Sequence, residues 1–261
     1  MRIAVVGTSN IGAVKYAQDR IAAQHPSLKV TCFGLPGGKF DGAHLIDGQF
    51  GPDRRDHGAM KLARRVNGAP TINLAAFEHT LVIGDTLGMP ATLWTALNYD
   101  VADWPARSGK PLLSLSAFQA AMSEAITPRA DHLRAQFGDL NIHVALAPYP
   151  TTGVVPKGEH HQQPYAGMAT HPEATRVHDI YRASLTNALH TRNMTLIPQP
   201  DNTIASPFLT KETFGHGSMD FRAPKNSTEG RLLNDHRHMN ADFGASLFAA
   251  FALAIGATPQ T

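Results

Sequence analysis

Apolar and polar positions alternate along this chain in blocks. Residues 2–6 are almost continuously apolar, and residues 10–24 space their apolar positions at helical intervals, so a buried strand leads into a helix. The run 28–38, LKVTCFGLPGG, predicts a second strand broken by a Pro-Gly-Gly turn. HTLVIG, 79–84, predicts another, closed by Gly84, while NIHVALAPYP (141–150) and NMTLIPQP (193–200) predict two more that end at prolines. Segments 112–138 and 173–192 read as helices, with Pro128 marking a break or kink in the first, and 239–256 as a closing helix. The basic run DRRDHGAMKLARR, within 39–70, reads either as a short helix or as a solvated loop, and 71–77 as a small strand. Residues 90–110 read as irregular, 151–172 as a long loop and 201–237 as loop-rich.

Strands alternating with helices imply parallel βαβ units and a doubly wound α/β sheet. The ligand crevice of such a sheet lies at the carboxyl ends of its strands. Gly7–Asn10, Gly34–Gly38, Gly84–Gly88 and the loops after Pro148 and Pro200 should therefore converge. A length of 261 residues and a hydrophobic share of 43% fit a single domain over 1–261 with a substantial core. The net charge of +2 is too balanced to suggest nucleic acid or an acidic membrane as partner. The lone Cys32, in an apolar run, reads as a buried inert thiol. The first strand begins at Arg2, where a secretory leader's basic and apolar segments would lie, so a cytoplasmic protein is expected.

The stretch AVVGTSNIGAVKYAQ places Ser9 directly after the first strand. Ser9 is there either as a helix cap or as a nucleophile, and a serine hydroxyl needs a base held by a third group to act as the latter. LLNDHRHMNADFGASLF supplies one: Asp235 and His238 are three apart, so one turn can present both to the crevice, with Asp235 behind the imidazole. His236 competes with His238 as the base, and reads better as a loop or substrate-contact residue.

Together, Gly7-Thr8-Ser9-Asn10 and Asp235-His236-Arg237-His238 resemble the two terminal blocks of the SGNH/GDSL hydrolase superfamily. VALAPYP resembles the strand and proline turn after that family's central sheet, and HMNADFGASLF its closing helix, with Asn240 beside the histidine. The resemblance implies a flavodoxin-like three-layer α/β/α sandwich with a parallel sheet, and a Ser9-His238-Asp235 triad. It also implies an oxyanion hole built from the Ser9 amide, Gly37 or Gly38, and a donor near Gly84. Where the family carries an Asn in a Gly-x-Asn-Asp block, this chain reads Gly84-Asp85-Thr86-Leu87, so Thr86, a backbone amide, or Asn98 would have to substitute. Asn10, Asp85, His236 and Asn98 are the expected substrate contacts. The activity implied is that of an esterase acting on a small-molecule or carbohydrate ester, such as an O-acetylated sugar, without cofactor. An O-acyltransferase and a non-catalytic binding protein on the same fold are the alternatives.

Other chemistries lack their patterns. Of the 14 histidines, His160, His161, His171 and His178 cluster in sequence, but without HExxH spacing or a carboxylate pattern, so no metal is expected. Gly7-Thr8-Ser9-Asn10-Ile11-Gly12 is neither a dinucleotide fingerprint nor a Walker loop, and no acidic residue ends the second strand.

Overall fold

A computed structural model of the chain describes residues 1–105, 107–157, 162–222, 233 and 235–257. Five strands form one parallel sheet: β1 (Arg2–Gly7), β2 (Lys29–Gly34), β3 (His79–Asp85), β4 (Ile142–Leu146) and β5 (Met194–Ile197). Their spatial order is β2-β1-β3-β4-β5, the flavodoxin-like order with its switch point between β1 and β3.

Successive strand residues point to opposite faces, and each face has its own core. Ile3, Val5, Leu81, Ile83 and Ala145 pack beneath α1 (Gly12–Tyr16), α2 (Gln18–Gln24) and a C-terminal helix over Ala241–Ala254. Ala4, Val6, Val82 and Val144 face the other way, toward the remaining helices, including a long one over Leu115–Phe137. This is a three-layer α/β/α sandwich. Each fully buried Leu, Ile or Phe in these layers contributes about 1.5–3 kcal/mol.

The helices between the strands depart from the sequence reading in instructive places. The Pro-Gly-Gly turn after β2 opens a short helix, α3 (Gly37–Asp41). The ambiguous basic run is a helix, α4 (His57–Asn67): the Asp56 side chain caps it through Ala59 N at 2.8 Å, and Gly68, at φ 80°, ends it. A hairpin over 43–52 precedes it, and the strand expected over 71–77 shrinks to Ile72–Asn73 on the hairpin's edge.

Residues 90–110 are not irregular throughout. Helix α5 (Met89–Asn98) starts with Pro90 in its first turn, where the missing N–H costs nothing, and buries Met89, Leu93 and Ala96 at helical spacing. Helix α6 (Leu115–Phe137) is capped by Ser114 and runs through Pro128 without a break. The long loop contains α7 (Val154–Lys157) and α8 (Gln163–Met168), followed by α9 (Ala174–His190) and, at the end, α10 (Ala241–Ala254). Cys32 is half-buried rather than buried.

The register of β1 against its neighbours sets the site. Gly7 lies opposite Gly34 of β2 and Ile83 of β3, so the residues that follow each strand share one rim. The β3–β4 pairing shifts between Ile83 and Asp85, and Gly84 sits in that irregularity.

Candidate active site

Ser9 is not the residue that caps the helix after β1. Thr8 takes that role, its Oγ1 accepting from Asn10 N at 3.5 Å, while Thr8 N donates to Ile83 O at 3.0 Å. Ser9 opens the 3-10 turn Ser9–Ile11 with its hydroxyl turned elsewhere: Ser9 Oγ lies 2.8 Å from His238 Nε2. The imidazole's other nitrogen, Nδ1, is 2.8 Å from Asp235 Oδ2. Asp235 Oδ1 accepts from the amides of Arg237 (2.8 Å) and His238 (2.9 Å), which winds the segment into the turn that aims both side chains.

This segment is brought over β1 by helix packing. In α10, a Cβ at Gly244 would collide with the Ala13 carbonyl of α1, so only glycine lets the two helices lie this close. Asn240 caps α10 through Asp242 N and Phe243 N, and its Nδ2 donates to Thr213 O (3.0 Å) and His216 O (2.9 Å). The residues immediately before α10 are thereby tied down on both sides.

Burial acts to raise the Asp235 carboxyl, but the His238 hydrogen bond and the two backbone amides outweigh it and lower its pKa from the usual 3.8 to about 2. A depressed carboxylate stabilises the fold at all pH above its unfolded value and loses that contribution as pH falls through its folded value. The stability difference between the wild type and Asp235→Asn is therefore expected to be constant above pH ~4 and to shrink between pH ~4 and ~2. Denaturant titration of both proteins across that range checks it; a difference that is unchanged at pH ~2 would contradict the arrangement.

A cleft of ≈ 350 Å³ opens over Ser9. Of the residues expected there, Ser9, Asn10, Gly37, Gly84 and Thr86 line it together. The amides of Ser9 and Gly37 donate to no other group among the described residues. Asn10 Nδ2 lies 3.3 Å from Thr8 Oγ1, while its Oδ1 is buried without a partner among the described residues. A ligand hydroxyl would satisfy that acceptor.

Four expected residues fall elsewhere. Gly38 does not line the cleft. Asp85 is 6% exposed, accepts from Leu87 N at 2.7 Å and pairs with Arg129, so it shapes the loop after β3 rather than meeting a ligand. Asn98 ends α5, where its Nδ2 donates to Trp94 O at 2.8 Å; the segment expected to be irregular is a helix whose start, at Pro90, lines the cleft and whose end does not. His236 points to the side: its Nδ1 is 2.9 Å from Thr151 Oγ1, and Thr151 N donates to His236 O at 2.9 Å. That pairing locks the segment carrying Asp235 and His238 to the loop after β4.

The cleft also holds residues that the sequence did not single out as contacts: Pro90, Ala147, Pro148, Pro150, Gln162, Tyr165 and Arg237. Arg237 had a signal, since it lies inside the Asp-x-x-His block. Gln162 and Tyr165 had only the weaker one of falling in a long Pro- and Gly-rich segment. Burial pushes the Tyr165 phenol well above its ordinary pKa, so it stays neutral.

Of the clustered histidines, His171 and His178 each have a separate partner. His178 Nε2 is 3.0 Å from the buried Tyr149 hydroxyl, and His171 Nδ1 accepts from Glu173 N at 3.2 Å. His160 and His161 lie outside the described residues. Among the described residues no group of His, Cys, Asp or Glu is gathered to hold a metal, and no helix is long and apolar enough to cross a membrane.

No protein-family model matches the chain, and no curated protein matches it. Among solved structures, the chain is similar to a carbohydrate esterase family 2 enzyme with a carbohydrate binding domain from Corynascus thermopiles (Myceliophthora fergusii). The alignment covers 98% of this chain at 13% identity and a TM-score of 0.36, and this chain spans 65% of that one.

Proposed function

We propose that this protein is a serine-dependent esterase that removes a small acyl group through Ser9, His238 and Asp235. One observation carries the reading: an unbroken hydrogen-bonded chain from carboxylate to imidazole to hydroxyl, 2.8 Å at each link, at the mouth of a cleft on the sheet's switch point. Asp235 holds the proton on His238 Nδ1, which leaves Nε2 as the acceptor for the Ser9 proton. Ser9 Oγ then bonds to the ester's acyl carbon, and His238 returns the proton to the leaving alcohol. Water repeats the sequence on the acyl-enzyme and frees the acid.

The tetrahedral intermediate places a negative charge on one oxygen, which fixed donors must meet. The Ser9 and Gly37 amides are the first two, since both residues line the cleft and neither amide donates to another group among the described residues. The loop after β3 provides the third, either from its backbone near Gly84 or from the Thr86 hydroxyl. The sugar O-acetyl group is one ester small enough for a cleft of this size.

The test is covalent labelling. A fluorophosphonate is expected to modify Ser9 in the folded wild type and to leave Ser9→Ala unmodified. A folded wild type that stays unlabelled at high probe concentration would mean a binding protein without catalysis.

A further inference from the structure

Helix α5 carries a second apolar stripe beside its buried face. Pro90, Trp94 and Leu97 stand at i, i+4 and i+7, which places them on one side of the helix, flanking the buried Met89, Leu93 and Ala96. Pro90 lines the cleft over Ser9, and Leu97, about 10 Å farther along the axis, lines a second cavity of ≈ 240 Å³. Trp94, between them, is 40% exposed. The α8 segment borders the same two spaces: Gln162 and Tyr165 line the cleft, Gly167 and Thr170 the second cavity. A Cβ at Gly167 would come within 2.9 Å of Leu97 Cδ1, so α8 lies directly against the stripe there. Cleft, indole and second cavity thus follow one seam between α5 and α8.

The second cavity joins aromatic surface to hydrogen-bonding groups. Tyr99, which is exposed, and Trp104 line it, so both tryptophans of the chain stand on this seam. Asp100, Lys110, Thr170 and Glu173 line it as well. An alkyl chain laid there would desolvate charged groups without offering them a hydrogen bond, and the carboxylates of Asp100 and Glu173 would repel an anion. A ring that is apolar on its face and hydroxylated at its edge meets both kinds of surface. Its face rests on an aromatic side chain, and its hydroxyls donate and accept around it. We propose that the seam binds the body of the substrate, a neutral linear oligosaccharide, with Trp94 as the platform for a sugar ring between the ester at Ser9 and a further ring in the second cavity. This rests on the esterase reading and deepens it by naming the substrate class: an ester carried on a saccharide chain, not on a free monosaccharide.

Tryptophan fluorescence tests it, since both tryptophans lie on the seam. The probes are unesterified xylotetraose, cellotetraose, maltotetraose and chitotetraose, each compared with its own monosaccharide, so no turnover intervenes. At least one tetrasaccharide is expected to change the emission saturably and to bind about tenfold or more tightly than its monosaccharide. In Trp94→Ala, followed by calorimetry, that ratio should fall about tenfold, the cost of truncating one well-placed aromatic anchor. Trp94→Phe should keep most of the ratio, because it keeps an aromatic face; a general loss of folding would not separate the two variants. No preference for any tetrasaccharide, or the same ratio in the wild type and Trp94→Ala, would overturn the saccharide seam, and with Ser9 labelled by the fluorophosphonate it would leave the esterase reading standing. A wild type that prefers a tetrasaccharide but is not labelled would overturn the esterase reading and leave a saccharide-binding protein.

Discussion

His238→Ala is expected to lower kcat by about 10⁴-fold or more, as loss of the base does where hydroxyl, imidazole and carboxylate act as a unit. The variant removes the imidazole that accepts the Ser9 proton and, among the described residues, leaves the Asp235 carboxylate with its two backbone amides. His236→Ala should behave differently. Its ring contacts Thr151 rather than Ser9, so its removal loosens the segment that carries Asp235 and His238 without removing a group of the proposed triad. A loss of about tenfold is expected, consistent with one hydrogen bond of ~1 kcal/mol. Asp235→Asn should fall between the two, because the imidazole loses the charge that orients it. Steady-state kinetics on one ester with all three variants decides the assignment. Equal losses in the two histidine variants, or full activity in His238→Ala, would contradict it.

Gly84→Val is expected to reduce kcat by about 10²-fold or more, the cost of disturbing one oxyanion donor, and to reduce stability as well. Gly84 sits at φ +110°, where a side chain is strained by about 1–3 kcal/mol. Its Cβ would also meet Thr8 Oγ1, and would lie 3.3 Å from Asn10 Nδ2, pushing on the turn that carries Ser9. Thr86→Val separates the two sources of the third donor. If the hydroxyl donates, this nearly isosteric change should cost kcat about 10²-fold with little effect on Tm. If it is silent while Gly84→Val is crippling, the donor is backbone. Asn98→Ala should be silent in either case, since Asn98 caps its own helix end away from the cleft. A crippling Asn98→Ala would place the cleft's boundary elsewhere.

The regions that the sequence misreads or leaves open are those where local signals compete. Residues 90–110 read as irregular and Pro128 as a break or kink, but a proline in a helix's first turn, as Pro90 is, costs no backbone hydrogen bond, and a long, well-buried helix can absorb one further in. The basic run at 53–65 became a helix because Asp56 capped it, a local signal that its charge density obscured. Ser9 as cap or nucleophile could not be separated locally either. Thr8 and Ser9 are both good caps, and only the position of an imidazole from the far end of the chain shows which hydroxyl is left for other work.

What the sequence determined by itself was periodic or local. Continuous apolar runs separated by helical patterns specify a parallel sheet covered on both faces, and an Asp three residues before a His specifies a turn in which the two can meet. The tertiary structure decided which residues face one another across large separations. The Ser9–His238 contact joins residues 229 apart, and it depends on the level strand ends of β1, β2 and β3 and on the close approach of α1 and α10 at Gly244. It also decided that Gln162, Tyr165 and Arg237 line the cleft while Asp85, Asn98 and His236 do not. No spacing along the chain encodes such distances, because they arise from register and packing, which sum contributions from every layer of the fold.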